Sequence, residues 1–198
     1  MKYKLFSMAL FLVIFIGLSS SVSFAEGDKI IADFNSGETQ NNLGGKIEVW
    51  LAGDGSDPTQ FSKMLFVSDD ALGNVSGKSL RIDYDVDSEN PAYNGVRTDL
   101  NQFDATNYKT LNFYMKGDAA AGFTKTLKIE LIGKNGQPSP YMVNGITENW
   151  QKITIPLSEF LLIKDWSTLQ KFVVVFADIN NNPKVGTVYL DQVYFSKN

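Results

Sequence analysis

The chain has 198 residues, no cysteine, no histidine, and 18 Lys+Arg against 22 Asp+Glu, for a formal net charge of -4. Those counts exclude a disulfide framework, thiolate or imidazole metal sites, and every nucleophilic relay built on Cys or His. The acidic balance argues against nucleic acid or an anionic membrane as partner. Binding, structure, or catalysis by carboxylate, Lys, Tyr or hydroxyl groups remains.

The first 25 residues read as a secretory leader. Lys2 and Lys4 form a basic start, and Leu5 to Leu18 is an apolar run broken only by Ser7 and Gly17. Ser23 and Ala25 supply small residues at the -3 and -1 positions of a cut after Ala25. The apolar run falls short of the ~20 residues that span a bilayer. Loss of Lys2 and Lys4 takes the net charge from -4 to -6. The expected product is secreted or periplasmic, is not inserted in a membrane, and forms one domain over 28–198.

Strand signals then follow in chain order. Lys29–Phe34 and Lys46–Leu51 supply two short runs. Ser79 to Asp87 alternates, with Leu80, Ile82, Tyr84 and Val86 on one face. Thr110 to Lys116 turns Leu111, Phe113 and Met115 inward. Thr126 to Ile132 does the same with Leu127, Ile129 and Leu131, and Gln151 to Leu157 with Ile153, Ile155 and Leu157. Phe172 to Ala177 is a continuous apolar run, as in a strand covered on both faces. Val188 to Phe195 closes the series. Asn94-Gly95, Asn135-Gly136, Asn144-Gly145, Gly73-Asn74 and Gly117-Asp118 read as turns. Short helical turns are expected at Ser158–Phe160 and Trp166–Leu169. The fold class is all-β: an antiparallel two-sheet sandwich or barrel.

Few motifs carry chemistry. Asp83-x-Asp85-x-Asp87 resembles half of a calcium loop. Ser88 and Asn94, however, stand where that loop needs Gly and Glu, so a solvated strand face explains the acids better. Gly44-Gly45 and Gly53-Asp54-Gly55 read as loops. No spacing selects a pair of catalytic carboxylates, so a carboxylate-dependent glycoside hydrolase is a minor alternative to a non-enzymatic role.

The aromatic residues are more specific. Tyr114 faces away from Leu111, Phe113 and Met115, and Tyr93 and Tyr141 stand among polar residues near turns. A ring beside polar side chains suits a sugar: the C–H face of a pyranose stacks on the ring while polar groups take its hydroxyls. Packing beneath loops is the equal alternative for these three rings, and the favoured one for Trp50 and Trp166. If Val96, Thr98 and Leu100 face the core, Arg97 and Asp99 share the outer face, as Glu130 does beside Lys128.

Three further stretches carry a family resemblance. They are Ile31-Ala32-Asp33-Phe34-Asn35-Ser36-Gly37-Glu38 with Asn41-Asn42-Leu43-Gly44-Gly45; Trp150 to Phe160; and Gly186 to Phe195. In this order they resemble the galactose-binding-like jelly rolls, within them the family 11 carbohydrate-binding modules and the complex I intermediate-associated protein 30 domains. The resemblance implies a two-sheet sandwich and a structural Ca²⁺ held by Asp33 and Asp191 with carbonyls around Lys78 and Ser79. It also implies a concave sheet groove binding a polysaccharide or oligosaccharide, with Tyr93, Arg97, Asp99, Tyr114, Glu130 and Tyr141 as candidates. Neutral glycans suit the negative chain better than anionic ones. The rival reading is an envelope interaction or assembly protein gripping a protein partner on the same fold.

Overall fold

A computed structural model describes residues 24–52, 57–68, 71–72 and 77–198. The leader up to residue 23 and the expected loops at 53–55 and 73–74 lie outside the described residues.

Two antiparallel sheets face each other. Their strands are β1 (Lys29–Ala32), β2 (Ile47–Leu51), β3 (Phe61–Val67), β4 (Ser79–Asp85), β5 (Tyr93–Phe103), β6 (Thr110–Gly117), β7 (Thr126–Gly133), β8 (Pro138–Asn144), β9 (Gln151–Pro156), β10 (Leu169–Ala177) and β11 (Val185–Ser196). The six-stranded sheet has the order β3-β4-β11-β6-β9, with β1 also paired to β11. The five-stranded sheet has the order β2-β5-β10-β7-β8.

Alternation drives this arrangement. Leu80, Ile82, Tyr84, Leu111, Phe113 and Met115 from one sheet meet Leu127, Ile129, Leu131, Phe172, Val174 and Phe176 from the other, all buried. Each large apolar side chain so covered contributes about 1.5–3 kcal/mol. Rings stitch the layers. Tyr84 and Phe176 stack at 4.2 Å with planes 5° apart, and Phe113 meets Phe172 at 6.1 Å. The Tyr84 hydroxyl donates to the Pro183 carbonyl and accepts from the Thr124 amide. Its burial pushes the phenol up to about 12.

Several expectations change. Asn94-Gly95 is not a turn but lies inside β5. The Asn94 carboxamide is buried, donating to the Asp85 carbonyl at 2.7 Å and accepting from Ser62 Oγ at 2.8 Å. Side-chain hydrogen bonding thus overrides the turn preference of the dipeptide. Strands β3 and β8 carry no clean alternation and are absent from the sequence reading; β8 holds two prolines, which an edge strand tolerates. Leu157–Glu159 forms the expected short 3₁₀ turn. Near Trp166 there is a simple turn, and Leu169 already opens β10.

Candidate functional site

The outer face of the five-stranded sheet is set by strand parity. In β5, Val96, Thr98 and Leu100 point inward, so Tyr93, Gly95, Arg97 and Asp99 point out. Antiparallel register then lines up rows across the sheet. Glu48, Arg97, Val173, Glu130 and Pro140 form one row over β2-β5-β10-β7-β8. Trp50, Gly95, Val175, Lys128 and Met142 form the next. Asp99 lies opposite Lys171, and Tyr93 opposite Ala177.

The middle of this face is apolar. Val173, Val175 and Ala177 are buried although they point outward. Their neighbours in register include Arg97 and Lys128, whose long side chains cover apolar surface while their charged ends stay partly exposed. Trp50 lies in the same row as Val175, with its indole Nε1 buried and without a partner. The expectation of a strand covered on both faces holds, but on the outer side the cover is side chains of the same sheet.

Charged pairs flank that strip. Arg97 gives Glu48 Oε1 two hydrogen bonds, from Nε at 2.9 Å and Nη2 at 2.7 Å. Lys46 holds the other oxygen of Glu48. These bonds, that of Lys46 before that of Arg97, hold the Glu48 carboxyl down at about 2. Lys171 meets Asp99 at 2.6 Å and Lys128 meets Glu130 at 2.9 Å. Arg97 and Glu130 stand one strand apart on either side of Val173, a separation of roughly 10 Å from the usual strand spacing.

Rings mark one end. Tyr93 is 48 % exposed and its ring lies 6.1 Å from that of Trp50. The indole passes over Gly95, where an added Cβ would come within 3.3 Å of Nε1. Glycine is what lets the indole lie this close to the sheet.

Of the six residues singled out from sequence, four share this face: Tyr93, Arg97, Asp99 and Glu130. Tyr114 is on the outer face of the other sheet, opposite Asp191 and Lys152. Tyr141 sits opposite Ile129 and packs inward at 6.2 Å from Phe160. Strand order decides the first case, since β6 belongs to the other sheet, and the parity of β8 decides the second. Sequence reasoning favoured packing for Trp50 and did not single out Glu48, Lys171, Val173 or Val175. Trp50 was recoverable, because it shares parity with Glu48 and opposes that of the buried Ile47. Trp166 packs against the core, as expected.

Asp33 and Asp191 lie close enough for one charge to act on the other. Asp191 is 1 % exposed, at the irregularity in β11, and accepts from the Gln192 amide at 2.7 Å and the Leu72 amide at 3.2 Å. Burial, with a smaller push from Asp33, raises its carboxyl to about 7. Asp33 accepts from the Asn35 amide and from Asn42 Nδ2, and Asn35 Oδ1 in turn accepts from the Lys78 amide. Ser79 Oγ nearby in the chain is buried with no partner. Two carboxylates within electrostatic reach of each other, one of them desolvated, are of the kind that a hard divalent cation takes among oxygen ligands of mixed kind. Among the described residues no cluster of three or more acidic, His or Cys side chains gathers. Asp83 and Asp85 are spent locally, on Arg81 with Thr187 and on the Asp87 amide.

Two antiparallel sheets with a polar and aromatic outer face define a β-sandwich of the jelly-roll kind. The chain belongs to the family described as carbohydrate binding domain 30, whose model matches residues 41–197. No curated protein sequence matches it. Among solved structures it is similar to the family 11 carbohydrate-binding module of the cellulosomal cellulase Lic26A-Cel5E of Clostridium thermocellum. That match has 17 % identity and a TM-score of 0.61 over 87 % of this chain and 96 % of that one. A family 11 module from the same organism, in complex with a β-1,3-1,4-mixed-linked tetrasaccharide, gives 18 % identity and a TM-score of 0.62 over 87 % and 97 %. An exo-β-agarase structure gives 10 % identity and 0.62, over 86 % of this chain but 25 % of that one. At these identities the likeness is one of fold.

Proposed function

We propose that this carbohydrate-binding-module-like protein is a secreted, non-catalytic binder that holds a neutral glycan on the outer face of its five-stranded sheet. The observation that carries the reading is the convergence of Trp50 and Tyr93 with Arg97, Asp99 and Glu130 around the Val173–Val175 strip. A pyranose presents C–H faces to such rings and valines, and hydroxyls to the charged groups beside them. Every acid on this face is ion-paired: Glu48 to Arg97 and Lys46, Asp99 to Lys171, Glu130 to Lys128. Balanced charge favours a neutral ligand, and an acid held by a neighbouring cation is a poor proton donor for glycoside cleavage. The leader of residues 1–25 supports export, and the mixed-linked tetrasaccharide in the family 11 complex supports a β-glucan as the first ligand to try.

In this reading Asp33 and Asp191 hold a structural calcium ion. The ion would tie the segment after β1 to β11 by oxygen ligands alone, which suits a chain without cysteine.

Affinity electrophoresis tests the binding. Migration through gels containing mixed-linkage β-glucan, xylan or galactomannan should slow for the native chain, and less for Arg97→Ala. Unchanged migration in every gel would remove the glycan from the account.

A further inference from the structure

A second cleft lies on the opposite side of the sandwich, outside the face described above. It has a volume of about 310 Å³ and is lined by Lys116, Gly117, Asp118, Glu148, Asn149 and Tyr189, among others. Its walls are the turn after β6 and the segment leading into β9. The Gly117 amide ties them by donating to the Thr147 carbonyl at 2.8 Å, and the Asp118 amide anchors the turn to β11 by donating to the Thr187 carbonyl at 3.0 Å. Thr147 Oγ1 donates within its own segment, to the Asn149 carbonyl or to Gln151 Oε1. The cleft is therefore built rather than induced.

Its chemistry repeats the ring-plus-polar pattern with different residues. Trp150 follows Asn149 and meets Tyr189 edge to face at 6.4 Å. The Lys116 ammonium lies 4.7 Å from the Tyr189 centroid and 5.7 Å from that of Trp150. The Tyr189 hydroxyl donates to Asp118 Oδ2 at 3.0 Å. Amide hydrogen bonds from Ala121 and Ala120, with that from Tyr189, hold the Asp118 carboxyl below its usual range. Tyr189, the ring that lines the cleft, is itself buried, and the half-buried indole of Trp150 stands against it. Asn149 and Glu148 are exposed beside it. One cation among two carboxylates and an amide, next to an indole, offers hydrogen bonds of both senses at short spacing without a net positive field. That suits hydroxyls better than phosphate or sulfate. The volume is at the small end of ligand pockets, enough for one or two sugar units.

We propose that this cleft is a second saccharide-binding site, so that the module grips a neutral polysaccharide on two opposite faces. The ligand class rests on the function proposed above; the site does not. Two sites on opposite faces cannot follow one straight stretch of polymer. They would instead bridge neighbouring chains, and the gain in retention is one of avidity.

Amide chemical-shift mapping of the chain separates the two faces. The probes are a β-1,3-1,4-mixed-linked tetrasaccharide and a xylotetraose. The expected result is two groups of shifted amides, one over 48–50, 93–99 and 171–177, the other over 116–120 and 147–150. Glu148→Ala with Asn149→Ala, both on exposed side chains and so expected to fold, should weaken the second group's affinity about tenfold, roughly 1.4 kcal/mol, and leave the first unchanged. Shifts confined to the first group overturn the second site and leave the first standing. Shifts confined to the second group support it and overturn the first. No shifts with either probe overturn both as sites for these glycans. Native chain that aggregates soluble glucan, beside a Glu148→Ala/Asn149→Ala variant that only binds it, would add independent support.

Discussion

Arg97 and Glu48 are joined by two hydrogen bonds to a single carboxylate oxygen, so that the guanidinium is pinned on β5 by its neighbour on β2. The pair is partly exposed, and such pairs contribute only about 0–1 kcal/mol to folding. Its value lies in orientation. Arg97→Ala should leave the melting midpoint nearly in place while weakening glycan binding about tenfold, or roughly 1.4 kcal/mol. Arg97→Lys should recover little, because a lysine presents no planar fork. Calorimetric titration with the tetrasaccharide reads this, and full affinity in Arg97→Ala would move the site elsewhere.

The same pair sets a pH window. The Glu48 carboxyl is lowered from 4.5 to about 2. Its folded-state advantage is thus fully present above 4.5 and fades as pH falls toward 2. Binding by the native chain, which follows the folded-state value, should be flat from pH 7 to about 3 and weaken as pH approaches 2. Glu48→Gln should be weaker throughout and flatter between pH 4 and 2. A native profile that breaks near pH 6 would point to a different titrating group.

Trp50 and Gly95 form a unit, because the indole lies where a Cβ on residue 95 would intrude. That Cβ would also come within 1.9 Å of the Val174 carbonyl oxygen. Gly95→Ala should therefore destabilise the sandwich itself, by a few kcal/mol as for other forced overpacking (about 1–3). Trp50→Ala, which removes a partly buried indole from the outer face, should lower the midpoint less than Gly95→Ala does but lose glycan affinity. Thermal melts beside affinity gels separate the two effects. Parallel losses of stability in both variants would make Trp50 a packing residue only.

How much of this was legible follows from parity. Alternation puts Arg97, Asp99 and Glu130 on an outer face, and the same rule holds for Leu80, Ile82, Tyr84, Leu111, Phe113, Met115, Leu127, Ile129 and Leu131, all buried. The rule assigns a face within a strand but not a sheet to the strand. Tyr114 obeys it and still lies on the far side, since β6 joins β11 and β9 rather than β10. Tyr141 could not be assigned because β8, interrupted by Pro138 and Pro140, carries no readable alternation. Lys128 and Glu130 stand across β10 from Arg97, a relation set by strand order and invisible in sequence. Tyr141→Ala should accordingly cost stability, on the order of 2–4 kcal/mol for a mostly packed ring, and Tyr114→Phe should leave binding at the Trp50–Tyr93 end unchanged. A melt and an affinity gel on each variant suffice.

Asp191 supplies the last prediction. With no ion beside it, burial raises its carboxyl from 3.8 to about 7. The folded state then prefers the protonated acid, so stability should fall as pH rises from about 4 to 7, by at most about 4 kcal/mol for a shift of this size. A calcium ion on Asp33 and Asp191 reverses the preference, because the carboxylate becomes the favoured form. Calcium should raise the melting midpoint strongly at pH 8 and little at pH 5, where a proton must first be displaced. Asp191→Asn should remove the response to calcium, and in chelator it should flatten the fall between pH 4 and 7. Equal midpoints in calcium and chelator at pH 8 would take the ion out of this fold, leaving Asp191 as a buried acid that the Leu72 and Gln192 amides hold in place.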